Sequence, residues 1–229
     1  MKTLDMLGLT RLLQLASPTL PVGAYSYSGG LEFAIEDGIV TDARSAEAWL
    51  RDVLDFSVGS FELPLLWRMS GAVAQDDYVE FACWNTLFRS GRETAELRME
   101  TLQMGHALIT LLKDLSFCSN VELEKLQGIG ALTFPATFAF AAHHMQVERN
   151  AALVGYLWSW LENQVMAALK AVPLGQVAGQ RMLASIGAEL PEVAQRAMQL
   201  EDDELTNFAP GLAIASSRHE TQYSRLFRS

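Results

Sequence analysis

Cysteine is nearly absent: the 229 residues hold two, Cys83 and Cys118. Two thiols cannot build a disulfide framework or a cysteine-based zinc site, so they read as buried apolar residues in a reducing compartment. Lysine is almost as scarce, with four among 17 basic residues, and 27 acids outnumber them for a net charge of −10. So acidic a chain lacks the clustered positive charge that phosphate backbones attract, which argues against nucleic acid as a partner. The opening Met-Lys-Thr-Leu-Asp has neither the apolar run nor the small-residue cleavage site of a signal peptide, and the cytoplasm is the expected location. The uncharged stretch Leu126–Val147 is long enough to span hydrocarbon. It carries Gln127, Gly128, Gly130, Thr133, Pro135, Thr137, His143, His144 and Gln146, whose polar groups would each be costly in lipid. A buried core helix entered at Pro135 is expected there, and no membrane span.

What the chain does have is alanine and leucine, 63 residues against 19 of valine and isoleucine. That balance favours helix over strand. Apolar residues recur at helical intervals in Leu9, Leu12, Leu13 and Ala16, and again in Trp49, Val53, Leu54 and Phe56. The longest such stretches run from Glu93 to Leu115, Asn150 to Val172 and Gly175 to Leu190, with Asn150 as an N-cap. No alternating pattern bounded by hairpin turns competes with them. The expected fold is an all-α single domain over residues 1–229, with about eight to ten helices around apolar central segments at Phe134–Met145 and Ala151–Leu161. A chain this long buries about 70% of its unfolded surface, enough for one sizeable core. Two non-helical pieces stand outside that scheme: a Pro/Gly/Ser loop over residues 16–30, and a tail over residues 206–229 after the helical pattern fades at Leu205 and Pro210-Gly211 break it.

Chemistry is hard to find. No glycine precedes a lysine, so there is no phosphate loop, and Gly128-Ile129-Gly130 lacks the third glycine of a dinucleotide turn. Ser26 and Ser28 miss the nucleophile-elbow spacing. The residues three before His106, His143, His144 and His219 are Gln103, Phe140, Ala141 and Ser216, which excludes a di-iron bundle. His143 and His144 diverge by about 100° on a helix. The run Glu201-Asp202-Asp203-Glu204 has the character of a Mg²⁺-holding prenyl-transfer motif but no second acidic run to pair with, and reads as a solvated or partner-binding face. A helical enzyme that takes a small apolar or diphosphate substrate in its bundle remains the alternative. Such an enzyme should show a deep pocket ringed by convergent polar groups, and a scaffold should lack one.

Three segments carry a resemblance. Leu12 to Glu32, reading Leu-Leu-Gln-Leu-Ala-Ser-Pro-Thr-Leu-Pro-Val-Gly-Ala-Tyr-Ser-Tyr-Ser-Gly-Gly-Leu-Glu, is similar to the opening signature of the UreF family of urease accessory proteins. Pro173-Leu174-Gly175-Gln176 with Gln180 resembles that family's penultimate helix region, and His219 to Ser229 its C-terminus. The resemblance implies a non-enzymatic, all-helical scaffold that dimerises, binds the accessory protein UreD (also called UreH) and recruits the GTPase UreG to apo-urease for nickel insertion, with an influence on the GTPase. Nickel and GTP would then be handled by the partners, with no catalytic, metal or cofactor residue in this chain.

The implied partner surface is the tail: Arg218, His219, Glu220, Tyr223, Arg225, Leu226, Phe227, Arg228 and Ser229. Its interleaved arginine, tyrosine, leucine and phenylalanine have the composition of an interface core. It is expected to gain order against UreD, with folding back onto the chain's own acidic face as the alternative. The motif loop is Ser17, Pro18, Leu20, Pro21, Gly23, Tyr25, Ser26, Ser28, Gly30 and Glu32. It is expected to be ordered, its serine hydroxyls capping the helix that begins near Leu31. Pro173, Gly175, Gln176 and Gln180 form the helix-junction motif.

Overall fold

The computed structural model describes residues 5–229. Among them twelve α-helices follow one another and no strand occurs: α1 (Met6–Leu15), α2 (Leu31–Glu36), α3 (Ala43–Val53), α4 (Leu63–Ala74), α5 (Tyr78–Ser90), α6 (Ala95–Asp114), α7 (Asn120–Lys125), α8 (Phe134–His144), α9 (Arg149–Ala171), α10 (Gln176–Gly187), α11 (Leu190–Gln199) and α12 (Pro210–His219). Ten of these have ten residues or more, and α2 and α7 have six each. The all-α reading holds.

Local chemistry sets the boundaries. The Asp42 carboxylate accepts the Ser45 amide at 2.8 Å and starts α3, while Ser119 and Glu122 form a reciprocal capping box at α7. Prolines open α4, α8, α11 and α12. Pro210 therefore starts a helix where the sequence suggested a break, because the first helical position needs no donor. The cap of α9 is Glu148, whose carboxylate accepts the Ala151 amide at 2.9 Å, and Asn150 lies inside the helix.

Leu54–Glu62 is wound as a π-helix between α3 and α4, so one continuous rod runs from Ala43 to Ala74 with a wide middle. A Cβ on Gly59 would lie 2.9 Å from the Leu54 carbonyl oxygen. The wide turn brings Glu62 to the inside of the molecule, where it is 8% exposed.

The centre is α8. All residues from Phe134 to Ala142 are buried, between α4 and α6. Its entry is clamped by polar side chains: Asn85 accepts from the Thr133 amide and hydroxyl, both at 2.9 Å, and the Thr101 hydroxyl accepts the Phe134 amide at 2.9 Å. Helix α9 runs alongside and touches α1, α2, α4, α8, α10 and α11. Gly155 lets α1 cross it closely, since a Cβ there would lie 2.4 Å from Leu12. Both predicted central segments are thus in the core. None of the described helices is long and apolar enough to cross a membrane.

One burial expectation fails. Cys83 is exposed and Cys118 half-buried. Helix α5 buries Phe81, Asn85 and Phe88, and Cys83 sits two residues from Phe81, off that face.

Candidate partner-docking site

The first and last motifs meet. After α1 the chain turns at Ser17, whose hydroxyl accepts the Thr19 amide at 3.2 Å, and Gly23 takes the left-handed conformation (φ 79°) ahead of a short 3₁₀ turn at Ala24–Ser26. Gly30 is also left-handed (φ 81°), and a Cβ there would lie 3.1 Å from the Ser216 amide of α12. Only glycine serves both needs. Pro18, Pro21 and Tyr25 face outward, while Ser28 and Glu32 are buried. The serine-capping expectation is met only in part: the N-cap of α2 is Gly30, which has no side-chain cap, and Ser28 Oγ from two residues earlier accepts the Glu32 amide at 3.3 Å.

Against this loop lies the tail. Arg228 N donates to the Ser26 carbonyl at 2.7 Å, and Ser28 donates through both its amide and its hydroxyl to the Ser229 carbonyl at 2.6 Å. The Leu226 and Phe227 amides both donate to the Glu32 carboxylate, at 2.6 and 2.9 Å. The Phe227 ring is buried, with the Lys170 ammonium 5.6 Å from its centroid. Residues 220–229 are thus placed on the chain itself, which corrects the expectation of order only against UreD and matches the folded-back alternative. The cause is Glu32, a carboxylate held at the start of α2 where it can accept two tail amides.

Helix α6 closes the site. Glu96 meets Arg225 at 2.7 Å and His219 Nδ1 at 2.7 Å, and Glu100 accepts from the Ser229 hydroxyl at 2.7 Å. Burial pushes the Glu100 carboxyl above the usual range, against the pull of Ser229 and Arg92. Glu220 turns away, and its carboxylate accepts the Ala95 amide at 3.0 Å at the N-terminus of α6. Glu96 and Glu100 belong to none of the three motifs. Two acids four residues apart on a helix, in a chain whose tail is basic, were the available signal.

The third motif stands apart. Pro173, Gly175, Gln176 and Gln180 are exposed at the α9–α10 turn and make no side-chain hydrogen bond to the loop or tail among the described residues. Arg218, Tyr223, Arg225, Leu226 and Arg228 remain exposed.

Behind the loop is a cavity of about 320 Å³, lined by Leu20, Val22, Val53, Met104 and Phe134, with Glu62, Arg92, Glu100 and Tyr156 in its wall. A scaffold was expected to lack such a pocket. Its charged groups are largely committed to one another: Glu62 accepts from both the Arg92 guanidinium and the Tyr156 hydroxyl. Burial lowers Arg92 and raises Tyr156 well above its ordinary value, so the tyrosine is a neutral donor and the arginine, as always in proteins, a cation. Arg92 Nε alone lacks a partner there. No nucleophile is paired with a base in this set.

Nor do the described residues hold a cluster of three or more His, Cys, Asp or Glu arranged for a metal ion. His219 meets Glu32 and Glu96 through opposite ring nitrogens, so the two carboxylates lie on opposite sides of the ring. Burial raises the Cys118 thiol, which leaves it a poor ligand.

Loop and tail thus form one exposed surface that bears aromatic and arginine side chains. The comparisons give the family. Residues 40–187 match the UreF family model. The chain is 52% identical over 226 residues to a urease accessory protein UreF from Azoarcus sp. (strain BH72), covering 98% of this chain and 97% of that one. It is 50% identical over 224 residues to a urease accessory protein UreF from Dechloromonas aromatica (strain RCB), covering 97% and 98%. The chain belongs to the UreF family, a non-enzymatic, chaperone-type family of urease accessory proteins.

Proposed function

We propose that this chain acts in the cytoplasm as the scaffold that binds UreD (UreH) and recruits the GTPase UreG to apo-urease for nickel insertion, modulating the GTPase and working as a homodimer within that assembly. It handles neither nickel nor GTP itself and meets no nucleic acid. One observation carries this reading. Tyr25, Tyr223 and Leu226 are 67%, 105% and 73% exposed on the joined loop and tail, beside Arg225 and Arg228. Exposed aromatic and arginine anchors on an ordered frame are what a protein partner uses.

The test is a co-expression pull-down of the full chain with UreD and UreG. Deleting residues 217–229 would also remove buried His219 and Phe227, so point variants on the outer face are cleaner. Tyr223→Ala with Leu226→Asp should leave the melting temperature unchanged and cost on the order of 2 kcal/mol of UreD binding, with UreG recruitment falling in parallel. Undiminished capture of UreD by that double variant would sink the assignment.

A further inference from the structure

The cavity behind the signature loop carries polar groups that the fold leaves unanswered. Leu20 and Val22 of the loop line it together with Val53, Val58, Met104 and Phe134, and its volume of about 320 Å³ lies within the range of small-molecule pockets. Arg92 is 8% exposed in its wall, and the buried Nε–H has no hydrogen-bond partner. Gln164 of α9 also lines it, at 6% exposed, and its side-chain amide bonds to none of the described residues. The two mark different ends. Arg92 is tied to Glu62 beside Tyr156, and Gln164 follows Tyr156 by about two turns of α9. The Gln164 amide nitrogen lies 3.4 Å from the Cβ position of Gly29, at the loop.

Charge selects the class of ligand. Arg92 and Lys170 share this wall with Glu62, Glu100 and Glu162, so an anion meets no surplus of positive charge. An ammonium group has no lone pair to offer Arg92 Nε. A neutral carbonyl has one. A buried donor without an acceptor is costly, so a ligand that supplies the acceptor gains more than it would at an exposed site. We propose that the cavity is a binding site for a small neutral carbonyl compound with an apolar body, its oxygen accepting from Arg92 Nε and its body packed on Val53, Val58, Met104 and Phe134. With no nucleophile paired to a base in the wall, the site binds and does not react. The loop is one side of the pocket, so an occupant stiffens the frame that carries the exposed Tyr25. The site belongs to the chain alone and stands or falls apart from partner docking.

Titration of the full chain with 2-heptanone, read on the methyl resonances of Leu20, Val22, Val58 and Met104, tests this. Those methyls should shift saturably with a Kd of about 1 mM or tighter. Hexanoate, of equal heavy-atom count but anionic, should bind about tenfold more weakly or less. Arg92→Lys keeps a cation beside Glu62 and removes the Nε–H, and should weaken 2-heptanone about tenfold. Should that variant not fold, Met104→Trp, which fills the cavity, should abolish the saturable shifts. No saturable binding, as expected of a site for water only, hexanoate binding as tightly as the ketone, or an affinity unchanged by the substitutions would each overturn the proposal.

Discussion

Burial raises the Glu100 carboxyl further than the Ser229 hydroxyl and the Arg92 charge pull it down. Its folded-state carboxyl titrates above the unfolded one. The native state therefore holds that proton to higher pH than the unfolded state, and its contribution to stability is present at acid pH and lost as pH rises through the raised value. Glu100→Gln keeps an acceptor for Ser229 and removes the ionisation. Its melting temperature should equal that of the wild type near about pH 4 and exceed it by a few degrees near about pH 8. A difference constant across that range, measured by calorimetry, would mean that the side chain is solvated in the native state.

At the scale of elements, the tail is held mostly by polar contacts and little by apolar ones. Phe227 is its only large apolar residue in the core; Tyr223 and Leu226 are outside. Phe-to-Ala changes in a core cost about 3–5 kcal/mol. Here the loss is bounded by the free energy of undocking residues 220–229, since a segment at one end can leave without taking α8 or α9 with it. Phe227→Ala should therefore open the bond after Arg225 to trypsin while shifting the main unfolding transition only slightly. Protection of Arg225 equal to that of the wild type would show that the polar contacts of Glu32 hold the tail unaided. The helices themselves were legible as elements, because alanine and leucine at helical spacing leave little else to form. The π-wound stretch was not: Leu54–Glu62 lies between α3 and α4 and packs against α11, and no local pattern in it encodes the shift in hydrogen bonding.

Across the whole molecule, Glu62, Arg92 and Tyr156 tie the central rod to the chain before α6 and to α9 at the wall of the cavity. Removing one charge of a buried pair leaves the other uncompensated. Arg92→Met should cost about 3–5 kcal/mol, and the double change Arg92→Met with Glu62→Leu should recover most of that loss. Chemical denaturation of the wild type, Arg92→Met, Glu62→Leu and the double variant reads the coupling directly, and additive losses would show that water reaches the pair.

The sequence by itself determined the fold class, the two central helices, the absence of a phosphate loop or histidine-based metal motif, and the loop and tail that mark the family. Each is a matter of composition, spacing or a contiguous motif, so each survives without knowledge of neighbours. Tertiary structure decided what those motifs do to one another. Glu32 and His219 are separated by 187 positions and meet only because α2 and α12 pack together, with glycine at position 30 allowing the approach. Glu96 and Glu100 became part of the site for the same reason, and the exposed Pro173–Gln180 turn stayed out of it. Burial of a charged group, and hence its protonation, depends on which helices close over it, and that is settled by packing between distant segments.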